Sequence, residues 1–237
     1  MRSSPKKRSP WKRHLLRMLL WLLASCTLAT LVPVLLLRWL NPPTSMVMLL
    51  DRLHGAEGAP PLRYTWTPWS TIGANARLAF VSAEDQRFPS HFGFDLVELR
   101  AAISDGDGSR RGASTITQQT AKNLFLWTGR SWLRKGLEAW FTVLIECSWS
   151  KRRILEVYLN IAQTGPRLYG IAAASEHYFG RAPSALSDRQ AALVAAALPN
   201  PVLYRISDPS PALLQRQQWV LMQMRQLGGT AWLRQLE

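Results

Sequence analysis

The chain has 237 residues, 47% of them hydrophobic and 10% aromatic, a composition that excludes wholesale disorder and predicts one compact domain plus an appendage. Its formal net charge is +14, but residues 1–38 hold eight Lys or Arg and no acid, leaving 21 basic against 15 acidic residues in the remainder. That excess sits beside an apolar run, where anionic lipid and membrane orientation account for it, so no nucleic-acid partner is implied.

The first predicted element is a membrane span. Met18 to Leu37 form 20 consecutive positions without a charge, and at a rise of about 1.5 Å per residue they match a hydrocarbon core of roughly 30 Å. A cleaved signal peptide is the competing reading, but its apolar stretch runs about 7 to 15 residues and ends at small residues. Here Pro33, Leu35, Leu36, Leu37, Arg38 and Trp39 follow instead. Arg2, Lys6, Lys7, Arg8, Lys12, Arg13 and Arg17 precede the run and hold that side in the cytoplasm. The expected order is a basic cytoplasmic tail at 1–17, an anchor at 18–40, a juxtamembrane connector at 41–70 and an extracytoplasmic domain at 71–237. The connector is expected to lack regular structure because Asn41, Pro42, Pro43 and the stretch from Gly55 to Pro61 are rich in breakers. Cys26 in the span and Cys147 in a helical pattern make an internal disulfide improbable.

Beyond the connector the periodicity is helical. Leu133, Leu137, Trp140, Phe141, Leu144 and Ile145 recur at three- and four-residue spacings, as do Ile154, Leu155, Tyr158 and Leu159. Ser187 with Gln190 and Thr115 with Gln118 fit the capping box that satisfies free N–H groups at a helix start. The reading is a mainly α-helical domain with at most a small hairpin.

Three segments carry candidate chemistry. Ala83 to Asp95, AEDQRFPSHFGFD, packs Glu84, Asp85, His91 and Asp95 among three phenylalanines. Apolar neighbours raise a carboxyl pKa, which suits a general base acting on a sugar hydroxyl. The competing reading is that these acids cap helices or pair with Arg87. Gly112 to Leu126, GASTITQQTAKNLFL, places small residues and the hydroxyls of Ser114 and Thr115 before a helix bearing Gln118, Gln119 and Lys122. That combination is a plausible phosphate cradle or a simple cap, and it is no Walker loop. The third segment holds Arg134, Lys135 and Glu138 and then SKRRILEVYLN from Ser150. A surface ion pair between Arg134 and Glu138 is the bland reading, yet Leu137, Trp140 and Phe141 crowd the same turn and argue for burial.

These residues resemble glycosyltransferase family 51, the peptidoglycan transglycosylases. Glu84, Asp85, Phe88, His91, Gly93 and Asp95 match every position of its EDxxFxxHxGxD motif. Gly112 to Gln119 and Lys122 match GGSTITQQ and the following lysine, with Ala113 in place of a glycine. Arg134, Lys135 and Glu138 match RKxxE, and Ser150, Lys151, Ile154, Leu155, Tyr158, Leu159 and Asn160 match the next segment. Two departures stand out: Ala172 replaces a usual Glu or Gln, and Gln163 stands where close relatives often have Glu. The chain ends about 35 residues after the last resemblance, which is expected of the monofunctional biosynthetic members.

The resemblance implies a lysozyme-like helical glycosyltransferase domain behind a single transmembrane helix of the bacterial inner membrane. It further implies polymerisation of lipid II onto a growing lipid-linked strand, with an inverted β-1,4 linkage and release of undecaprenyl diphosphate. On that basis Glu84 resembles the base, and Glu138, Lys122 and Arg130 the leaving-group side. Ser114, Gln118, Gln119, Arg134 and Lys135 are further candidates for sugar or phosphate contacts. No organic cofactor and no protein-only metal cage are implied, but Mg²⁺ or Mn²⁺ held with the substrate diphosphate is. Cell-wall synthesis or division proteins are the implied protein partners. The glycine-rich stretch Ser104 to Arg111 is expected as a mobile loop able to close over the donor, or as a solvated loop without a role. Two other functions remain open: a lysozyme-like hydrolase, and a catalytically weak scaffold that binds lipid II.

Overall fold

The computed structural model describes residues 10–55, 58–104 and 114–236. Two compact units divide the chain, Met1–Leu40 and Asn41–Glu237. The first contains helix α1, Pro10–Leu37, whose stretch Arg13–Leu37 has a mean hydropathy of 2.2 and almost wholly exposed side chains. By length and composition it is able to cross a membrane. The helix begins before the uncharged run, so Arg13 and Arg17 ride its first turns.

The second unit is mainly helical, as the periodicity predicts. It comprises α2 (Met46–Leu53), β1 (Arg63–Tyr64), α3 (Ala74–Glu84), α4 (Leu96–Ser104), α5 (Ile116–Phe125), α6 (Trp132–Ser148) and α7 (Lys151–Ile161). There follow β2 (Gln163–Gly165), β3 (Leu168–Tyr169), α8 (Gly170–Phe179), α9 (Asp188–Ala197) and α10 (Pro211–Gln226). Both expected capping boxes close: Thr115 and Ser187 accept from the backbone N–H three residues on, and Gln118 and Gln190 reach back.

Helix α3 is the central element. Leu78, Ala79, Phe80 and Val81 on it are fully buried, and it packs against α9 and α10. Ala191, Ala192, Ala195, Ala196 and Ala197 on α9 are fully buried too, and such small side chains let two helices approach closely. On the other side α5 lies between α6 and α7.

The expected hairpin, β2 with β3, is present and antiparallel, but β1 adds to it in parallel to give the order β1-β3-β2. That strand and α2 come from residues 41–70, which therefore do not form an unstructured connector. Tertiary contacts override the local breakers. Met48 is fully buried, the Tyr64 hydroxyl donates to the Pro42 carbonyl at 2.6 Å, and the buried Asn160 side chain bonds both the N–H and the carbonyl of Thr67.

Candidate active site

The acids of the first segment are put to different uses. Asp85 is buried; one carboxylate oxygen meets His91 Nε2 at 2.9 Å and the other accepts from the Ile116 N–H at 3.0 Å. Asp95 caps α4 by accepting from Val97 and Glu98, and it lies 3.5 Å from Arg87 Nε. Structural capping and pairing thus describe both of these residues. Glu84, at the last turn of α3, has no ion-pair partner among the described residues and instead accepts a 2.7 Å hydrogen bond from Gln119 Nε2. Burial pushes its carboxyl pKa up; the Gln119 bond, Arg216 and Lys122 oppose that rise, and Asp85 adds to it.

Gly93 shows why the turn after this segment requires glycine. Its φ is +76°, and an added Cβ would lie 2.6 Å from Thr142 Cγ2 and 3.0 Å from Glu146 Cγ. The same Glu146 Oε1 accepts from Thr117 Oγ1 at 2.6 Å and pairs with Lys151 Nζ at 2.7 Å, while that ammonium also donates to the His91 carbonyl. Residues from three separate segments are so joined around one buried carboxylate.

The start of α5 is not a phosphate cradle. Its first N–H is taken by Asp85, and the Gln118 N–H by the Thr115 hydroxyl. Gln118 spends its side chain on the capping box and is buried. One residue on, Gln119 faces the other way, donating to Glu84 and accepting from the Tyr158 hydroxyl at 3.0 Å.

A cavity of about 480 Å³ opens beside this pair. Gln119, Lys122, Asn123, Arg130, Arg134 and Tyr158 form its polar lining, and Val47, Ile161, Tyr169, Leu198 and Pro199 are among its apolar lining. Lys122 makes no hydrogen bond or ion pair among the described residues, and burial lowers its pKa, with Glu138 and Glu84 opposing. Arg130 is exposed at the mouth. Glu138 is buried, as its apolar neighbours predict, and pairs with Arg134 at 2.7 Å and with Lys135. Its direct partners are therefore these two cations rather than Lys122 and Arg130. Arg134 Nε is buried without a partner among the described residues, so this cavity-lining guanidinium keeps donor capacity. Ser114, Gln118 and Lys135 do not line the cavity.

Metal binding was tested against two places. Asp85, His91 and Asp95 approach one another within 4.8 Å, but their oxygens already serve Ile116, Val97, Glu98 and Arg87. The cavity lining contains no carboxylate. The described residues do not fit a protein-held divalent ion.

Tyr158 and Arg216 were missed by the sequence reading. Tyr158 belongs to an apolar period and reads as core, and Arg216 lies on α10 with no motif around it. Gln163 lines the cavity, whereas Ala172 lies in a separate groove with Arg63 and His177. Gly112, Ala113 and the stretch 105–111 are outside the described residues.

The sequence pattern of the Transglycosylase family matches residues 55–225. The biosynthetic peptidoglycan transglycosylase of Chromohalobacter salexigens is 49% identical over 231 residues, covering 95% of this chain and 98% of that protein. Proteins with the same name from Pseudomonas entomophila and Stutzerimonas stutzeri are 48% and 47% identical, covering 95% and 94% of this chain and 95% and 93% of theirs.

Proposed function

The chain belongs to the transglycosylase family, and from that premise we propose that it polymerises lipid II into β-1,4-linked glycan strands with release of undecaprenyl diphosphate. The observation that carries this reading is the division of charge around the cavity. Glu84 alone of the first segment's paired acids is left free of ion pairing and is raised by burial, while Lys122, Arg130 and Arg134 line the adjoining space.

In the proposed reaction Glu84 takes the proton from the 4-hydroxyl of the acceptor GlcNAc as that oxygen bonds to the donor's anomeric carbon. The bond from that carbon to the diphosphate breaks on the opposite face, and the electron pair leaves with the diphosphate. One base and one anionic leaving group suffice for inversion, so no covalent enzyme intermediate is required. Lys122, Arg130 and Arg134 neutralise the departing charge, and Glu138 holds Arg134 and Lys135 in place. A sugar leaving group, as in a hydrolase, would call for a proton donor and gain nothing from such cations.

A lipid-linked substrate also requires a site close to the bilayer. Besides α1, the second unit exposes Phe92, Leu96, Val97 and Leu99 around α4 and Trp132, Leu133, Trp140 and Val143 on α6, apolar surface suited to a membrane interface. With the positive end of α1 inside, the catalytic unit lies on the outer face of the cytoplasmic membrane.

Labelled lipid II incubated with the detergent-solubilised full chain separates the alternatives. Long strands that disappear with Glu84→Gln support the reading. Shortening of preformed strands would make the protein a hydrolase, and tight lipid II binding without any product would make it a scaffold.

A further inference from the structure

Helix α2 has only eight residues, well below the roughly 12 to 15 at which an isolated helix becomes marginal in water. Something outside it must hold it in place. Ser45 caps its start by accepting from the Met48 N–H at 3.2 Å, and Met48 is fully buried. One turn beyond Val47, Asp51 makes the polar attachment. Its Oδ2 accepts from the Tyr169 hydroxyl at 2.9 Å, and its carbonyl accepts from Arg167 Nη1 at 2.8 Å, with Oδ1 3.4 Å from the same nitrogen.

The far side of this attachment is fixed as well. Arg167 has a φ of +52°, alone in that region among the described non-glycine residues, a conformation that costs about 1 kcal/mol or more and persists only where surroundings demand it. Its carbonyl accepts from the Arg63 N–H of β1 at 2.9 Å, so the turn before β3 is held by β1 and by α2 together. A Cβ at Gly55 would collide with Arg167 Nη1, and the absence of one leaves the guanidinium its route to α2. The two elements joined in this way both reach the substrate cavity, through Val47 of α2 and Tyr169 of β3.

We propose that Asp51 is a positioning residue for glycan polymerisation, tying α2 to the end of β3 so that Val47 and Tyr169 form one wall of the cavity. The proposal rests on the reading of that cavity as the lipid II polymerisation site. Releasing the tie lets the short helix move away and removes part of the binding surface, without touching Glu84 or the cations.

The test is steady-state polymerisation by the full chain in detergent, with lipid II concentration varied, for wild type, Asp51→Ala, Asp51→Asn, Tyr169→Phe and the Asp51→Ala/Tyr169→Phe double variant. Asp51→Ala should raise KM by roughly 5- to 20-fold, the scale of a lost hydrogen bond to a charged group, with kcat within about twofold of wild type. Asp51→Asn keeps an acceptor for the Tyr169 hydroxyl and should restore most of the affinity. Tyr169→Phe should raise KM in the same direction, and the double variant should be no worse than Asp51→Ala, because both remove one interaction. An unchanged KM in Asp51→Ala or in Tyr169→Phe, with loss only of Tm and of active protein, would overturn the positioning role and leave the functional reading intact. Fully additive effects in the double variant would overturn it too. A wild-type chain that binds lipid II yet forms no strands would instead overturn the functional reading, and this proposal with it.

Discussion

Replacing Gln119 by Leu isolates what the amide does for the base. Gln119 Nε2 donates to Glu84 at 2.7 Å, and this bond lowers a carboxyl pKa that burial has raised. A hydrogen bond to a charged group contributes about 1.5–3 kcal/mol, which corresponds to roughly one to two pH units. The bond favours the ionised carboxylate, so its loss raises the Glu84 pKa further. A general base works only when ionised, so the acid limb of kcat/KM, already above the usual glutamate range, should move up by about one unit or more. At pH 7 polymerisation should fall by around tenfold or more, and it should recover towards the wild-type rate on the alkaline side of the shifted limb. The assay is strand formation from labelled lipid II between pH 5 and 9, with Tm measured in parallel because Tyr158 loses its acceptor. An acid limb that stays in place, or moves down, would refute the assignment of Glu84 as the titrating base.

Glu84→Gln should lower turnover by roughly 10²- to 10⁴-fold, the usual contribution of a general base, while lipid II binding measured by fluorescence anisotropy persists. Lys122→Ala should weaken both turnover and binding of inorganic pyrophosphate. Since burial depresses the Lys122 pKa, Lys122→Arg should shift the alkaline limb of the rate upward, which a pH series would show. Gly93→Ala should cost about 2–4 kcal/mol in chemical denaturation, as it combines positive φ with collisions against Thr142 and Glu146. An alkaline phosphatase reporter fused after Glu237 should be active, since that enzyme works only outside the cytoplasm.

The chemistry-bearing segments and helix starts were legible because they depend on local order. Thr115 and Gln118 are three residues apart, and their box closes without help from the rest of the fold. The roles inside those segments were less legible. Nothing local separates Gln118 from Gln119; a single step around the helix sends one to its own N-terminus and the other to a carboxylate 35 residues earlier. Glu84 and Asp85 are likewise adjacent, and only the approach of the Ile116 N–H makes Asp85 structural. Helix α2 was hidden for the opposite reason. Its neighbours in sequence are breakers, and its support comes from Arg167 and Tyr169, far along the chain. Arg216 acts on Glu84 from α10, a packing relation with no local signature.

Asp85 couples reactivity to folding in a way that separates neither for adjustment. One covalent step from Glu84, it grips the first N–H of the helix that supplies Gln119 and Lys122. If that helix frays, the bond that tempers the base and the nearest leaving-group cation depart together. The site therefore has no half-assembled form in which an ionised Glu84 stands beside an unprotected diphosphate. Slow leakage of activated donor to water is limited by the opening of one turn of backbone, and its rate should follow local stability rather than substrate supply.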